Sequence, residues 1–134
     1  MTLQFSEAVR NARLNAVEST IGTAPKLRLI TGAMPENCAA AQTGTQLSEM
    51  SLPSDWLSAA ALGVKEKLGT WSGTASAAGD IGYYRIMNTA GTVCHEQGSV
   101  TPVGGGGAIT VSNISVTVGQ TITILTKKLT DGNA

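Results

Sequence analysis

The stretch YYRIMNTAGTVCHEQGSVT, residues 83–101, decides the fold class of this chain. Residues 83–87 and 92–101 are predicted strands, and residues 88–91 between them are a typical tight turn. Gly91 ends that turn, where a residue with positive φ is usual in a β-hairpin. Strands joined in this way pair antiparallel, so the stretch predicts a hairpin within a β-rich domain.

Strand-like segments continue on both sides of this hairpin. They occupy residues 26–31, 45–52 and 70–75 before it, and residues 108–113, 114–118 and 120–129 after it. About seven or eight short strands, with turn-forming residues roughly every ten positions, are typical of sandwiches and jelly rolls. The sequence therefore predicts a mainly β domain, a jelly-roll-like antiparallel β-sandwich with a short N-terminal helix.

The last predicted strand changes its phase. Ile122 and Ile124 fall on one face, whereas Leu125 and Leu129 fall on the other. Because side chains alternate strictly along a strand, this change predicts a β-bulge or a strand that is buried on both faces.

Residues 1–24 are predicted to form a helical segment or arm of a single domain that spans residues 1–134. Ser6 is a suitable N-cap, and Gly22 and Pro25 end the helix. The apolar stripe consists of small side chains, so it is expected to pack on its own domain or on a neighbouring subunit. The members of this stripe are Ala8, Val9, Ala12, Ala16 and Val17.

Two segments in the middle of the chain are less regular. Residues 54–56 could open a short helix, with Ser54 as its cap. Residues 57–68 contain an alanine run that favours a helix, but Gly63 and Gly69 favour a loop or a strand instead. All three conformations remain open for this segment.

Composition excludes several classes of function. The chain has 134 residues, a formal net charge of zero, 13% charged residues and 4% aromatic residues. A nucleic-acid surface needs basic residues and aromatic faces, so no nucleic-acid partner is expected. No apolar run is long enough for a membrane span, and no signal peptide is recognised at the N-terminus. Membrane contact is therefore not expected.

No catalytic, metal-binding or cofactor-binding motif is found. His95 is the sole histidine and lies between Cys94 and Glu96, but neighbours on a strand point to opposite faces. One histidine and two cysteines fall short of the four ligands of a structural zinc site. Trp56 and Trp71 are expected in the core. The sequence thus predicts a protein that is not an enzyme and holds no cofactor and no metal.

Cysteines and glycines supply the two remaining candidate features. Cys38 and Cys94 could form one disulfide, or stay two buried thiols in a reducing cytoplasm. The glycine run leads into a strand rather than a helix, so it is not a phosphate-binding loop. It is expected to be a flexible, exposed tip that contacts a partner. This run consists of Gly104, Gly105, Gly106 and Gly107.

Three stretches resemble a family of small virion structural proteins of tailed bacteriophages and of proteobacterial prophages. They are FSEAVRNARL (residues 5–14) leading to Ile21-Gly22, YRIMNTAGTVCHEQG (84–98), and GGGGAITVSN (104–113) with VGQTI (118–122) and DGNA (131–134). The resemblance implies a capsid cement or decoration protein on the outer surface of the capsid. Its implied partners are the major capsid protein and further copies of itself, as a homodimer or homotrimer. It implies synthesis in the bacterial cytoplasm and no catalytic residues.

Three alternatives make different structural predictions. A tail, neck or fibre-associated β-domain would be present in few copies per particle. A receptor- or carbohydrate-binding module would expose an aromatic side chain among Trp56, Trp71, Tyr83 and Tyr84. An enzyme would have a cleft where two acidic residues converge, or His95 with one of them.

Overall fold

The computed structural model describes residues 3–131, and this part of the chain is mainly β, with 40% of residues in strands and one helix. The helix α1 spans Glu7–Ile21. The strands are β1 (Lys26–Thr31), β2 (Gln46–Ser51), β3 (Val64–Glu66), β4 (Ser72–Thr74), β5 (Gly79–Met87), β6 (Cys94–Pro102), β7 (Ile109–Val111), β8 (Ser115–Val116), β9 (Thr121–Thr123) and β10 (Thr126–Thr130).

The ends of α1 are those that the sequence predicts. Ser6 is the N-cap, and its Oγ accepts a hydrogen bond of 3.3 Å from Val9 N–H. At the other end, Gly22 has φ of +96° and its N–H donates to Glu18 O at 2.9 Å. A glycine tolerates this conformation without strain, so the helix ends here and the chain turns into β1.

One large sheet dominates the fold, with strand order β2-β1-β5-β6-β7-β10-β3 and β8 paired to β5. The predicted hairpin is confirmed as β5 and β6 at its centre, and Gly91 has φ of +73° in the connecting turn. A separate two-stranded sheet pairs β4 with β9. This small sheet packs against the inner face of β2, where a Cβ on Gly73 would lie only 2.8 Å from Met50 Cβ.

The expectation of purely antiparallel pairing is wrong at one place, because β6 and β7 run parallel, with Val100 opposite Ile109. Parallel neighbours usually need a connection of a dozen residues or more. Here the glycine run reverses the chain twice over residues 103–108. Gly107 N–H donates to Thr101 Oγ1 at 2.9 Å, and a Cβ on Gly107 would lie 2.8 Å from that same atom. A side chain at Gly107 would therefore clash with Thr101, and the positive φ of Gly104 and Gly106 also favours glycine.

The phase change in the last predicted strand marks the point where one strand, β9, ends and another, β10, begins. It is neither a β-bulge nor a strand that is buried on both faces. Ile124 N–H donates to Trp71 O at 2.8 Å, beside the small sheet, and Leu125 N–H donates to Thr110 O at 2.8 Å, in the large sheet. The chain therefore crosses from one sheet to the other between these residues. The separate strands β9 and β10 each keep their own alternation of buried and exposed residues.

The irregular middle segment is extended. Residues 54–56 form no helix, so that prediction is wrong. The sequence leaves a helix, a loop or a strand open for residues 57–68, and part of this segment forms the strand β3. Isolated β-bridges pair Leu57 with Lys67 and Ala61 with Val64. The tight turn at Leu62 and Gly63, both with positive φ, explains why a helix cannot form there.

The sheet is covered on both faces. Its inner face packs on the main core, in which the rings of Trp56 and Trp71 meet at a centroid distance of 5.9 Å. Over β5 and part of β6 its outer face is covered by the β1–β2 connection, residues 32–44, which we call the covering loop. Tyr83 O–H donates to Thr43 O at 2.6 Å, which attaches this loop to β5. Tyr83 to Met87 are consequently all buried, although alternation would leave every second one exposed.

Candidate binding surface

The predicted apolar stripe of α1 exists, but it points away from the domain. Ala8, Ala12 and Ala16 are exposed, and the side chain of Val9 is 42% exposed. Only Val17, at the margin of the stripe, packs against the core. We call the surface formed by Ala8, Val9, Ala12 and Ala16 the outer face of α1.

The opposite face of α1 is mostly polar and holds the chain segment of residues 57–63, which we call the docking loop. Four N–H groups of this loop donate to four side chains of the helix, and Leu14 and Ile21 supply the buried apolar contacts. These bonds join Leu62 N to Glu7 Oε1 (3.2 Å), Gly63 N to Asn11 Oδ1 (2.9 Å), Ala60 N to Asn15 Oδ1 (3.3 Å) and Leu57 N to Glu18 Oε2 (2.9 Å).

Ion pairs complete the docking of α1. The buried Lys65 Nζ lies 3.1 Å from Glu18 Oε1 and donates to Asn15 Oδ1 at 2.8 Å. Near the end of the described chain, Asp131 Oδ2 lies 3.0 Å from Arg13 Nε, and Asp131 O accepts from Arg10 Nη1. The helix is thus fixed to its own domain by polar contacts as well as by Leu14 and Ile21, which leaves its outer face available.

A groove runs beside the outer face, and it is where the structure places His95. The groove is also lined by Arg13, Ala16, Val17, Thr20 and Ile21. Within residues 3–131, no acidic side chain lines this groove. The neighbouring Cys94 points elsewhere, because its Sγ donates to Glu96 O at 3.4 Å and lies near the thiol of Cys38. His95 therefore forms no dyad with a carboxylate or a thiol here.

Two acidic residues, Glu18 and Asp55, line a second groove at the carboxyl end of α1. This is the arrangement that an acid–base enzyme requires. However, Glu18 uses one oxygen for Lys65 and the other for Leu57 N–H, as described above. The docking contacts thus account for both oxygens of this carboxylate.

The aromatic side chains named by the carbohydrate-binding alternative are all buried. Trp56, Trp71, Tyr83 and Tyr84 are at most 1% exposed. A sugar-binding module stacks exposed rings on its ligand, so this alternative loses its main support.

A second, buried cluster joins three strands and was not foreseen from the sequence. Tyr84 O–H on β5 donates to Glu96 Oε2 on β6 at 2.5 Å, and Lys127 Nζ on β10 lies 2.5 Å from the same oxygen. Lys127 is only 2% exposed at its side chain. A Cβ on Gly98 would lie 2.8 Å from the Tyr84 ring, so glycine is needed where the ring crosses β6. We call these three residues the buried triad.

The buried triad predicts that stability falls at alkaline pH. Burial, followed by the charge of Glu96, raises the pKa of Tyr84 far above its ordinary value of 10.0. Because the folded protein favours the neutral phenol, this stabilisation is complete below pH 10 and is lost as pH rises further. We expect the free energy of unfolding to fall by up to about 1.4 kcal/mol per pH unit above pH about 10.

Urea unfolding at several pH values, followed by tryptophan fluorescence, would measure this slope. Tyr84→Phe is expected to flatten it, whereas Tyr83→Phe, the matched control on the other face of β5, is expected to preserve it. Equal slopes in both variants would show that Tyr84 is not the titrating group.

Cys94 also lowers the free energy of unfolding as pH rises above about 9. Burial, followed by the interaction with Cys38, raises the pKa of this thiol to about 12, so the folded protein favours its neutral form.

The structure also shows where the two cysteines and the glycine run lie. Cys38 and Cys94 are brought together, with both thiols free. Gly104, Gly105 and Gly106 are exposed as expected, in a turn that contacts Thr101, and the contact of this run with a partner stays a prediction. Within residues 3–131, no three His, Cys, Asp or Glu side chains form a group that could hold a metal ion. In the same residues, no helix is long and apolar enough to cross a membrane.

No protein-family model matches the chain, and no curated protein and no solved structure matches it either.

Proposed function

We propose that this chain is a non-enzymatic structural protein of a bacteriophage particle, a capsid cement or decoration protein that binds neighbouring major capsid proteins. The observation that carries this proposal is the outer face of α1. An amphipathic helix normally buries its whole apolar side, but this one docks through polar side chains together with Leu14 and Ile21 and leaves Ala8, Ala12 and Ala16 exposed. Exposed Ala and Val at helical spacing allow a close approach of another protein surface.

Two further properties support the same role. The net charge of zero permits many copies to lie side by side without mutual repulsion. The covering loop, the docking loop and the glycine run are all fastened to the domain, so the subunit is rigid. A rigid subunit loses little conformational entropy when it binds, and many modest contacts then add up over a shell.

The jelly-roll-like sandwich remains part of the proposal, with the β4–β9 sheet as its second layer.

Cosedimentation of the purified protein with empty and DNA-filled capsids tests the proposal. Saturation at on the order of hundreds of copies per shell, with increased resistance of the shell to heat, is the expected result. Roughly six or twelve copies per particle would instead indicate the tail, neck or fibre alternative. Absence of binding to both kinds of shell would overturn the capsid role.

Matched variants locate the binding surface. Ala12→Glu and Ala16→Glu place a charge on the outer face of α1 and should abolish cosedimentation while the fold is kept. Thr123→Glu, at an exposed position of β9, is the control and should bind as the unmodified protein does. If all three variants bind equally, the outer face of α1 is not the contact.

A further inference from the structure

Cys38 and Cys94 are 56 positions apart in the sequence, but their thiols lie close enough that Cys38, after burial, contributes to raising the pKa of Cys94. Both thiols are free, and both residues are partly buried. Cys38 belongs to the covering loop and Cys94 is the first residue of β6. Their contact therefore joins the loop to the central hairpin.

Backbone anchors hold Cys38 in this position. Arg85 Nη2 on β5 donates to Asn37 O at 3.3 Å and to Ala40 O at 2.8 Å, so its guanidinium grips the loop on both sides of Cys38. Gln97 on β6 accepts from Arg85 Nε at 3.2 Å and donates to Pro35 O at 2.8 Å. The position of Cys38 thus depends on several bonds besides its contact with Cys94.

A β-bulge aims Cys94 at the loop. The register of β5 and β6 shifts between Ile86 and Met87, so that Met87 is opposite Cys94 and His95 is the extra residue. Met87 lies two residues after Arg85 and shares its face of the strand. Cys94 consequently lies on the face that the covering loop covers, and His95 lies at the groove beside α1.

We propose that Cys38 and Cys94 are an intramolecular disulfide site that fastens the covering loop covalently to the β5–β6 hairpin when a small-molecule disulfide, such as oxidised glutathione, is the oxidant. This proposal is independent of the capsid role. The loop is bonded to Tyr83 and Arg85 of β5 and to Gln97 of β6, so the disulfide would lock the cover of this part of the sheet.

The reaction consists of two thiol–disulfide exchanges. Cys38 Sγ attacks one sulfur of the oxidant, the S–S bond of the oxidant breaks, and the leaving glutathione thiolate takes up the proton that Cys38 releases. Cys94 Sγ then attacks Cys38 Sγ, and the second glutathione leaves with the proton of Cys94. Two protein thiols are oxidised, and one oxidant disulfide is reduced to two thiols.

The second step is favoured by the position of Cys94. The attacking form in both steps is the thiolate. Burial, followed by the interaction with Cys38, raises the pKa of Cys94 to about 12. Once Cys38 carries the mixed disulfide, Cys94 attacks a sulfur that is held beside it, at high effective concentration.

The test uses the folded, full-length protein, incubated at low concentration with oxidised glutathione. We expect the intact mass to fall by two hydrogen atoms, both thiols to disappear from a titration under denaturing conditions, and dithiothreitol to restore them. After tryptic digestion without reductant, peptide 29–65 should be joined to peptide 86–127, since these contain the two cysteines.

Single variants give the matched control. Cys94→Ser should stop at one glutathione on Cys38, which shows that the second step needs Cys94. Stable glutathione on both cysteines of the unmodified protein, a disulfide between two chains, or two thiols that stay free would each overturn the proposal.

Discussion

Glu96→Ala is expected to lower the free energy of unfolding by about 3–5 kcal/mol, because it leaves the ammonium of Lys127 buried without its counter-ion. In the folded protein, Lys127 Nζ contacts Glu96 Oε2 and donates to Tyr84 O–H at 3.1 Å, and its side chain is nearly inaccessible to water. A lone hydroxyl does not replace the solvation that a buried cation loses. Urea unfolding followed by tryptophan fluorescence measures the loss.

The double variant Glu96→Ala/Lys127→Met separates charge burial from packing. It removes both charges of the pair, so it should recover much of the stability that the single variant loses. Lys26→Met is the exposed control, because the Lys26–Glu49 pair spans 3.7 Å with both side chains about one-third exposed. This change should cost less than about 1 kcal/mol. A single Glu96→Ala variant as stable as Lys26→Met would contradict the buried triad.

Trp56→Ala is expected to destabilise the protein by about 3–5 kcal/mol. Trp56 is fully buried against Trp71, and its indole N–H donates to Gly22 O at 2.9 Å. The change therefore leaves a cavity in the main core and also frees the carboxyl end of α1. Thermal unfolding followed by circular dichroism measures both effects, since loss of helix at low temperature would reveal a loosened α1.

Trp56→Phe tests the two contributions separately. Phenylalanine retains most of the apolar contact but cannot donate to Gly22 O, so a smaller loss of about 1–3 kcal/mol is expected. Leu62→Ala is the surface control, because Leu62 is 76% exposed and its truncation should change stability by less than about 0.5 kcal/mol. Equal losses for Trp56→Ala and Leu62→Ala would show that Trp56 is not in a packed core.

The sequence was informative where structure depends on local chemistry. Ser6 and Gly22 end the helix as predicted, and Gly91 occupies the turn of the central hairpin. These features depend on a few adjacent residues, so propensity and turn chemistry suffice to find them. The burial of Trp56 and Trp71 also follows from residue type alone.

Features that depend on distant segments could not be foreseen. The parallel pairing of β6 with β7 requires knowledge of how the glycine run folds back on Thr101. The crossing between Ile124 and Leu125 looks like an ordinary phase change until the two sheets are known. The apolar stripe of α1 was recognised, but its direction was not, because the side chains that dock the helix are Asn and Glu, which usually face water.

The four bonds between α1 and the docking loop have a consequence for motion. When the helix lifts away, four loop amides lose their acceptors at once, and when the loop moves, the helix loses most of its polar docking. We therefore expect the two segments to open together as one cooperative unit. Because Ile21 of α1 and Leu57 of the docking loop both belong to the main core, mechanical load that a partner applies to the outer face of α1 passes through this unit directly into the core.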